Sequence, residues 1–477
     1  MLRLFTPLLA SILTTTTSIL AATTTPGVPL PEAVLVVVGD QHSAYERYPQ
    51  LIAHIDRLLS ENPRTPLAIL INGDSLEYGN VIARRSAGAI DFALYAALAR
   101  RAPTILNFGN HEPEFYDVAE TIHRIEATGV KVLTGNLRHP ATRQAYAPAS
   151  LHLALGSHQA IIVGVTTDRL ATFRLAIRPQ LDLADPVTWA RENFPQIFTR
   201  PPAPPPPNIH STIGTTPSPP RPSVLPIILS HAGLRADRAI LPIVPPHTLF
   251  AGAHDHLRFI HRTEQTTYFH SGSWLEVISI ARLRYLEGDL RWDVEQLPVQ
   301  AADPTDPEIE KLIHATLTLH LTSEETTVVG HTPQTLSPAA AAAFAVEAAR
   351  RAATADVAFI GATTFGAGLP AGPVTRFAFD ACVRFDGPLF TATITGAALI
   401  KILARANQGL ATPFADRGGE NLLAAANGPI QPERSYRLVT TDWIAKNPQN
   451  YLGENPPPLS SHPELKLKAA VLRALQP

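Results

Sequence analysis

Short apolar runs alternate with helix-like and polar segments from about Pro31 to Gln300. Each run is rich in Val, Ile and Leu and is bounded by turn-forming residues, which is typical of a strand buried on both faces. The predicted strands are Ala33–Val38, Leu67–Ile71, Thr104–Phe108, Ala160–Val165, Val224–Leu229 and Thr248–Phe250. This pattern predicts an α/β layered domain.

A polar, proline-bearing segment at 300–307 marks a predicted domain boundary. Beyond it, Ser337 is a predicted N-cap, and Pro338 begins an Ala-rich helix that extends to about Ala353. Further elements predicted in this part are strands at Val357–Ile360, Leu389–Ile394 and Tyr436–Thr440 and a helix near Ala397–Ala406. We therefore predict two domains, 26–300 and 301–477, of which the second is a smaller α/β domain.

Residues 1–25 have the pattern of an export signal. Arg3 supplies a positive charge, an apolar stretch interrupted by Ser and Thr follows, and Ala21 and Ala22 offer small residues for cleavage. The alternative is a membrane anchor, but this stretch is too short and too rich in Thr to cross about 30 Å of hydrocarbon. We expect export to a periplasmic or extracellular space, without a stable membrane anchor.

Residues 201–226 are rich in proline, which predicts that this segment is neither a helix nor a central strand. The composition predicts an extended, exposed insertion within the first domain. A docking site for a proline-binding partner is the alternative interpretation.

The overall composition restricts both the class of protein and the kind of metal site. Lys plus Arg number 39 and Asp plus Glu number 41, so the formal net charge is −2 and the chain lacks the basic excess expected of a general nucleic-acid binder. Cys382 is the single cysteine, which excludes an intrachain disulfide and a thiolate metal cluster. Any metal site must therefore use His, Asp, Glu or Asn, and 18 histidines are available.

Five polar clusters each follow a predicted strand. In open α/β sheets ligands bind outside the carboxyl ends of the strands, so we expect these clusters to converge on one crevice. The candidate residues are Asp40 and His42 in GDQH, Asp74 in NGDSLEYGN, Asn110, His111 and Glu114 in GNHEPE, His231 in SHAG, and His254 and His256 in AGAHDH.

The number and type of these side chains favour two divalent transition ions. Imidazole and carboxylate ligands together suit Mn, Fe, Zn or Co rather than a Ca or Mg site built from oxygen alone. Two ions about 4 Å apart need a shared ligand, and a carboxylate can bridge them. Asp74 is the candidate bridge.

The motifs D-x-H, GD, GNHE, H and H-x-H, in this order, resemble those of the calcineurin-like metallophosphoesterases, and more narrowly of their 5′-nucleotidase branch. The resemblance covers both predicted domains and implies a layered αββα sandwich followed by a C-terminal substrate-binding domain. It implies one metal held by Asp40, His42, Asp74 and His256, and another held by Asp74, Asn110, His231 and His254.

The same resemblance implies a catalytic histidine in the GNH motif, which is His111 here. Family members orient this histidine with an acid three residues later, and this acid is Glu114 instead of the usual Asp. Ala253 stands where the family has the glycine of G-H-x-H, a change that leaves both histidine ligands in place.

The segment from Asp356 to Thr375 resembles a motif of the family's C-terminal domain, and Leu369–Thr375 matches it fully. The polar positions of that motif differ: the family's Asn is Gly361, its two glycines are Thr363 and Thr364, its Arg is Gly366, and a later Pro-Phe pair is Arg384-Phe385. In the family this domain stacks the nucleotide base between aromatic rings. The aromatic candidates for that role here are Phe414, Trp443 and Tyr451.

The expected function is hydrolysis of a small-molecule phosphate ester, with nucleoside monophosphates as the leading substrate class by resemblance. A hydroxide held by both metals would attack phosphorus in line, and His111 would donate a hydrogen bond or a proton to the departing oxygen. Related alternatives are a cyclic nucleotide, a nucleoside diphosphate-sugar or a sulfur ester as substrate. A further alternative is a binding protein that keeps the fold without turnover.

Overall fold

The computed structural model of the protein describes residues 30–199, 224–286, 289–419 and 422–476. The predicted export signal at 1–25 lies outside the described residues, and so does the predicted proline-rich insertion up to residue 223. The last three residues of that predicted insertion, 224–226, instead begin a central strand, Val224–His231, in which Pro226 pairs with Ile161.

The strands are numbered in chain order, and their labels are used below. They are β1 Ala33–Val38, β2 Leu67–Asn72, β3 Thr104–Asn107, β4 Lys131–Leu133, β5 Leu137–Arg138, β6 Ser150–Leu155, β7 His158–Thr166, β8 Asp182–Leu183, β9 Val224–His231, β10 Thr248–Gly252, β11 Arg258–Arg262, β12 Thr266–Ser271, β13 Val277–Leu286, β14 Asp289–Pro298, β15 Val328–Thr332, β16 Val357–Gly361, β17 Gly372–Thr375, β18 Pro388–Thr395, β19 Leu422–Ala426, β20 Ser435–Thr441 and β21 Ser460–Lys466.

The α-helices are likewise numbered along the chain. They are α1 Tyr48–Glu61, α2 Val81–Arg85, α3 Ala89–Arg101, α4 Val118–Ala127, α5 Pro186–Thr199, α6 Leu234–Ile240, α7 Pro307–His320, α8 Pro338–Ala352, α9 Arg376–Cys382, α10 Gly396–Leu403, α11 Asp442–Lys446, α12 Pro448–Leu452 and α13 Leu467–Ala474.

Two six-stranded sheets form the first part of the described chain, in the orders β14-β13-β1-β2-β3-β4 and β11-β12-β10-β9-β7-β6. In both, the central strands are parallel, and antiparallel strands lie at one edge or at both. Alternate residues of β1 point to opposite faces, because side chains alternate along a strand. Leu35 and Val37 pack in the core between the two sheets, whereas Val34 and Val36 pack against the outer helices.

Helices cover the outer face of each sheet. The first sheet packs against α1, α3 and α4, and the second packs against α5 and α6. The predicted layered αββα sandwich is therefore confirmed.

Helix α7 follows the predicted domain boundary, yet it belongs to the core of the sandwich. Asp306 caps its N-terminus by accepting hydrogen bonds from the backbone amides of Glu308 and Ile309. Its apolar residues Ile309 and Ile313 pack in the same buried cluster as the residues of α1 and α3. The change from one hydrophobic core to the next thus comes after this helix, and the boundary at residue 300 stays a prediction.

The second, smaller part contains a mixed five-stranded sheet among the described residues, in the order β19-β16-β20-β18-β21. One face packs against α8, α9 and α13, and the other packs against α10, α11 and α12. The side chain of Ser337 caps α8 as predicted, accepting a hydrogen bond from the amide of Ala340. The two-domain α/β class predicted from the sequence is confirmed.

The structure also contains strands that the apolar pattern did not predict, including β11 to β14. Arg, Glu, Asp and Thr lie at many positions of these strands, so no continuous apolar run marks them. No α-helix within the described residues has both the length and the apolar character of a membrane-spanning segment.

Candidate metal centre

The carboxyl ends of five strands meet at one edge of the sandwich. In the first sheet, the parallel register aligns Val38 with Ile71 and Asn72 with Asn107, so the loops after β1, β2 and β3 start at the same level. In the second sheet, Gly252 of β10 pairs with Ser230 of β9. Strand register aligns the clusters within each sheet, and the packing of the two sheets, with hydrogen bonds from Asn72 to the carbonyl oxygens of Ser230 and Ala251, brings the two sets together.

The loops that carry these clusters turn sharply. Asp40, His42, Asp74, His254 and His256 all have positive φ, between 49° and 78°. Non-glycine residues seldom adopt this left-handed conformation, which costs about 1–3 kcal/mol and is often found where a site requires it. The backbone of these loops thus adopts an unfavourable conformation that places the five side chains at this edge.

Asp40, His42 and His256 form one group of potential metal ligands, whose donor atoms lie within 4.8 Å of one another. His42 Nε2 lies 2.9 Å from His256 Nε2, and Asp40 Oδ1 lies 4.0 Å and 3.7 Å from these two nitrogens. All three residues are at least nine-tenths buried. Two imidazole nitrogens and a carboxylate oxygen thus point to one position.

Asp74, His231 and His254 form a second group, again with donor atoms within 4.8 Å of one another. Asp74 Oδ2 lies 3.0 Å from His231 Nε2. His254 Nδ1 and Asn110 Oδ1 are buried without a hydrogen-bond partner among the described residues, although buried polar atoms are nearly always paired. A metal ion at this position would satisfy such atoms.

The two groups adjoin one another. Asp40 Oδ1, which faces the first group, also lies 4.0 Å from His231 Nε2 of the second. Burial raises the pKa of Asp40 well above its usual value, and the nearby Asp74 carboxylate raises it further. Asp40 thus faces both groups, and Asp74 stays the predicted bridge.

Burial favours the neutral form of two of the proposed histidine ligands. Burial lowers the pKa of His42 to about 4 and that of His254 to about 3, so both rings are neutral at pH 7. A neutral imidazole is the form that binds a metal. Imidazole, carboxylate and amide oxygen donors in two adjoining groups therefore fit two divalent transition ions.

His111 lies beside these groups with one nitrogen held by an acid. His111 Nδ1 is 2.8 Å from Glu114 Oε1, and His111 Nε2 is 4.0 Å from Asp74 Oδ2. Burial works against a charged ring, but Glu114 and then Asp74 outweigh it and raise the pKa of His111 well above its usual value. The structure thus brings the predicted pair together, with the ring in contact with the cavity.

Glu112 is a structural residue of the centre that the sequence interpretation missed. Its carboxylate accepts hydrogen bonds from the backbone amides of Asp74, Ser75 and Gly109 at 2.7–2.9 Å. It thereby ties the loop after β2 to the loop after β3. Glu112 is the glutamate of the GNHE motif, but the motif does not reveal its structural role, which depends on a contact between two loops.

Glu77 and Arg384 were also missed. The Glu77 carboxylate is 3.3 Å from His42 Nδ1 and forms a buried ion pair with Arg384 from the second part of the chain. The only signal in the sequence was that Arg384 stands where the resembling family has proline.

A cavity of about 390 Å³ opens onto both parts of the chain. Five of the predicted ligands and His111 line one wall, and Trp443 lines the other together with Phe385, which was not predicted to contact a substrate. The Phe385 and Trp443 side chains are each 58% exposed, so their ring faces are accessible.

The other two predicted aromatic contacts lie elsewhere. Tyr451 is 5% exposed and does not line this cavity, but its hydroxyl accepts a hydrogen bond from Trp443 Nε1 at 2.8 Å. Phe414 stacks on His261, with ring centroids 4.1 Å apart, and packs against the outer layer of the second sheet. Phe414 does not line this cavity, because its ring packs against the sandwich, and the structure gives its predicted stacking on a substrate no support.

Two family models match the chain. The model described as calcineurin-like phosphoesterase matches residues 33–150, and the model described as 5′-nucleotidase, C-terminal domain, matches residues 320–422. The chain has no match among the curated proteins.

Solved structures of similar fold include the following three, each of which aligns with most of this chain. Sulfate thiohydrolase SoxB of Thermus thermophilus, in complex with glycerol, has a TM-score of 0.61 at 15% identity, with 94% of this chain and 95% of that chain covered. A 5′-nucleotidase precursor from Thermus thermophilus has a TM-score of 0.57 at 15% identity, with 93% and 96% covered. The 5′-nucleotidase from Candida albicans has a TM-score of 0.55 at 12% identity, with 94% and 98% covered.

Proposed function

We propose that this chain, a metal-dependent phosphoester hydrolase that combines a calcineurin-like phosphoesterase domain with a 5′-nucleotidase C-terminal domain, releases phosphate from nucleoside monophosphates. The observation that carries the proposal is the convergence of predicted ligands from four strand ends on one cavity, with buried donor atoms that have no hydrogen-bond partner among the described residues. A protein that only binds its ligand does not need this set of metal ligands.

Two divalent ions, drawn from Mn, Zn, Fe and Co, are the proposed cofactors. When bound, they supply a nucleophile at neutral pH and neutralise the charge on the phosphoryl oxygens. Asp74 is proposed to contribute to both sites. The proposed ligands of the first site are Asp40, His42, Asp74 and His256, and those of the second are Asp74, Asn110, His231 and His254.

His111 is proposed to act on the leaving group. Glu114 at Nδ1 fixes the ring orientation and stabilises its charge, which leaves Nε2 to donate toward the departing oxygen. The backbone amide of His111 donates to Asp74 Oδ1 at 2.8 Å, so the same residue also holds the proposed bridging carboxylate. The loop after β3 thus supplies both the proposed proton donor and a hydrogen bond that holds the proposed bridging carboxylate.

The aromatic wall of the cavity suits a planar group on the substrate. Trp443 and Phe385 offer exposed rings on which a nucleobase can stack. Gly361 and Gly366, however, stand where the family has Asn and Arg, and each lost polar contact costs about 1–3 kcal/mol. We therefore propose weak binding of ordinary nucleotides, with Michaelis constants above the micromolar range for AMP and UMP.

The proposal is tested by measuring phosphate release from a panel of substrates with Mn²⁺. The panel contains nucleoside monophosphates, a cyclic nucleotide, a nucleoside diphosphate-sugar and nitrophenyl phosphate, and sulfate release from a sulfur ester is followed in parallel. Activity on monophosphates that is abolished by a chelator and restored by Mn²⁺ supports the proposal. Preference for another member of the panel assigns the related activity, and two bound ions without any turnover would indicate a binding protein.

Export is proposed from the pattern of residues 1–25 alone. Expression of the full chain in a bacterial host, followed by fractionation and N-terminal sequencing, tests it. A mature protein that begins near residue 23 in the periplasm or medium is expected, and an intact N-terminus in the cytoplasm would contradict export.

A further inference from the structure

The carboxylate of Glu77 lies at the meeting point of the two parts of the chain. It is 3.3 Å from His42 Nδ1 and 3.8 Å from His111 Nδ1, and it forms an ion pair with the guanidinium of Arg384. The Glu77 and Arg384 side chains are 5% and 7% exposed. Neither residue is a proposed ligand or acid, yet both are buried against residues that are.

The two nitrogens of His42 face different partners. Nε2 points to Asp40 and His256, which form the first group of proposed ligands, whereas Nδ1 points to Glu77. A metal-binding imidazole usually donates its second N–H to a carboxylate, which fixes the tautomer and the ring orientation. Glu77, whose carboxylate is 3.3 Å from Nδ1, is within reach of that role.

A buried carboxylate in this position needs a counter-charge. Arg384 supplies it and is itself held on several sides: its Nη1 donates to the carbonyl oxygen of Thr363 at 3.3 Å, and its Cζ lies 5.0 Å and 5.1 Å from the ring centroids of Trp274 and Phe385. The ring of Trp274 in turn stacks on that of His42 at 5.1 Å. The guanidinium therefore has little freedom to leave Glu77.

Space for this arrangement depends on Gly366. A Cβ atom there would lie 2.5 Å from the carbonyl oxygen of Ala381, 2.9 Å from the Trp274 ring and 3.0 Å from Arg384 Cδ. A longer side chain at 366 is thus incompatible with Arg384 and Trp274 as they stand. The small residue at 366 and the arginine at 384 belong to one arrangement.

We infer that Glu77 and Arg384 are positioning residues that orient His42 for its metal, so that the first metal site is completed by the C-terminal part of the chain. This inference deepens the proposed function, on which it rests for the identity of the metal ligands. Arg384 acts through Glu77 and not by contact with the ion.

The test is a titration of the metal-free full-length protein with Mn²⁺ in competition with a chelator, without substrate. The variants are Glu77→Gln, Arg384→Ala, Arg384→Lys and the double variant Glu77→Gln/Arg384→Ala. Arg376→Ala is the matched control, since Arg376 also lies over an aromatic ring of the C-terminal part, that of Phe379, but does not line the cavity.

The expected result is a loss of affinity of about 10–100-fold at one of two sites in Glu77→Gln and Arg384→Ala, the usual scale for removal of a partner of a metal-binding histidine. Arg384→Lys should recover most of the loss, and the double variant should be no weaker than Glu77→Gln. The visible spectrum of the Co²⁺-loaded protein should change in Glu77→Gln but not in Arg376→Ala. Thermal unfolding of each variant identifies any loss that comes from misfolding, and Arg384→Lys keeps the comparison available if Arg384→Ala does not fold.

Wild-type Mn²⁺ affinity at both sites in folded Glu77→Gln or Arg384→Ala would overturn the inference. So would losses that add in the double variant, because Arg384 would then act independently, for example by direct contact with the substrate. Wild-type protein that binds two ions but hydrolyses no ester would instead overturn the proposed function and leave this inference intact.

Discussion

At the scale of single residues, the centre depends on which atom each side chain presents. His111 offers Nε2 to the cavity because Glu114 occupies Nδ1. Asp74 is held from two directions, through the amide of His111 on one carboxylate oxygen and His231 Nε2 on the other. Changes at these positions should therefore have separable effects on proton transfer and on metal binding.

Replacement of His111 by Ala should leave both metals bound but reduce turnover by about 10²–10⁴, the scale of a lost acid–base group. Glu114→Gln should lose less, because the amide still accepts a hydrogen bond but cannot stabilise the charge of the ring. Turnover of an alkyl phosphate and of nitrophenyl phosphate checks this, since the nitrophenolate leaves without protonation. Equal losses on the two substrates in metal-replete protein would rule out the leaving-group role.

Replacement of Asp74 by Ala should remove both ions, because the proposed bridge contributes to each site. His256→Ala is the matched comparison, and it should weaken one ion only. Metal analysis of the purified variants provides the measurement. Two ions per chain in Asp74→Ala would show that the bridge is wrongly assigned, and Asp40, which also faces both groups, would then be the next candidate.

At the scale of elements, α3 is joined to α1 and the segment before it by a buried acid. Asp91 is fully buried and accepts hydrogen bonds from the hydroxyls of Tyr45 and Tyr48, both at 2.8 Å. Burial raises the pKa of Asp91 to about 7, although the tyrosine hydroxyls act in the opposite direction. The packing of these helices is therefore linked to pH.

The sign of this linkage follows from the two pKa values, about 7 in the folded protein and 3.8 for the free side chain. Between pH 4 and pH 7 the unfolded chain loses a proton that the folded chain keeps, so the free energy of unfolding contributed by Asp91 falls as pH rises. Below pH 4 the contribution is fully present. Asp91→Asn removes this dependence.

Denaturant unfolding at several pH values checks the prediction. Relative to wild type, Asp91→Asn should gain stability between pH 4 and pH 7 by an amount on the order of 4 kcal/mol, at about 1.4 kcal/mol per pKa unit. Asp289→Asn is the control, because the Asp289 side chain is 60% exposed. Parallel pH profiles for wild type and Asp91→Asn would contradict the assignment.

At the scale of the whole molecule, neither part of the chain encloses the cavity alone. The sandwich provides the proposed ligands, and the C-terminal part provides the aromatic wall and Arg384. An ion pair of Arg85 with Glu325, at 2.6 Å, is another contact between α2 and the segment after α7. Substrate selection should accordingly be separable from metal chemistry.

Trp443→Ala should raise the Michaelis constant for a nucleoside monophosphate by about 5–150-fold, because stacking on a base contributes about 1–3 kcal/mol. The constant for glycerol phosphate, which has no ring, should change little. Phe414→Ala is the matched control: it should lower the melting temperature, since Phe414 packs on the sandwich, without changing either constant. Equal increases for the two substrates in Trp443→Ala would contradict base stacking.

The sequence by itself determined the parallel strands, the class of fold and the family resemblance. The structure confirms the strands and the fold class, and the two family models confirm the resemblance. The apolar runs at β1, β2, β9 and β16 mark strands because both faces of these strands are buried, and that requirement appears locally in the chain. The same runs place the polar clusters at strand ends. This is why the candidate site could be assembled from short motifs, although the roles of its residues remain predictions.

Only the tertiary structure decided which side chains meet across the chain. Glu77 and Arg384 are 307 positions apart and pair only because the C-terminal part packs over the loop after β2. Phe414 was predicted to stack on a substrate and instead packs on His261, and helix α7 lies beyond the predicted boundary yet joins the first core. No local pattern encodes these contacts, because they depend on which distant segments pack together in the folded chain.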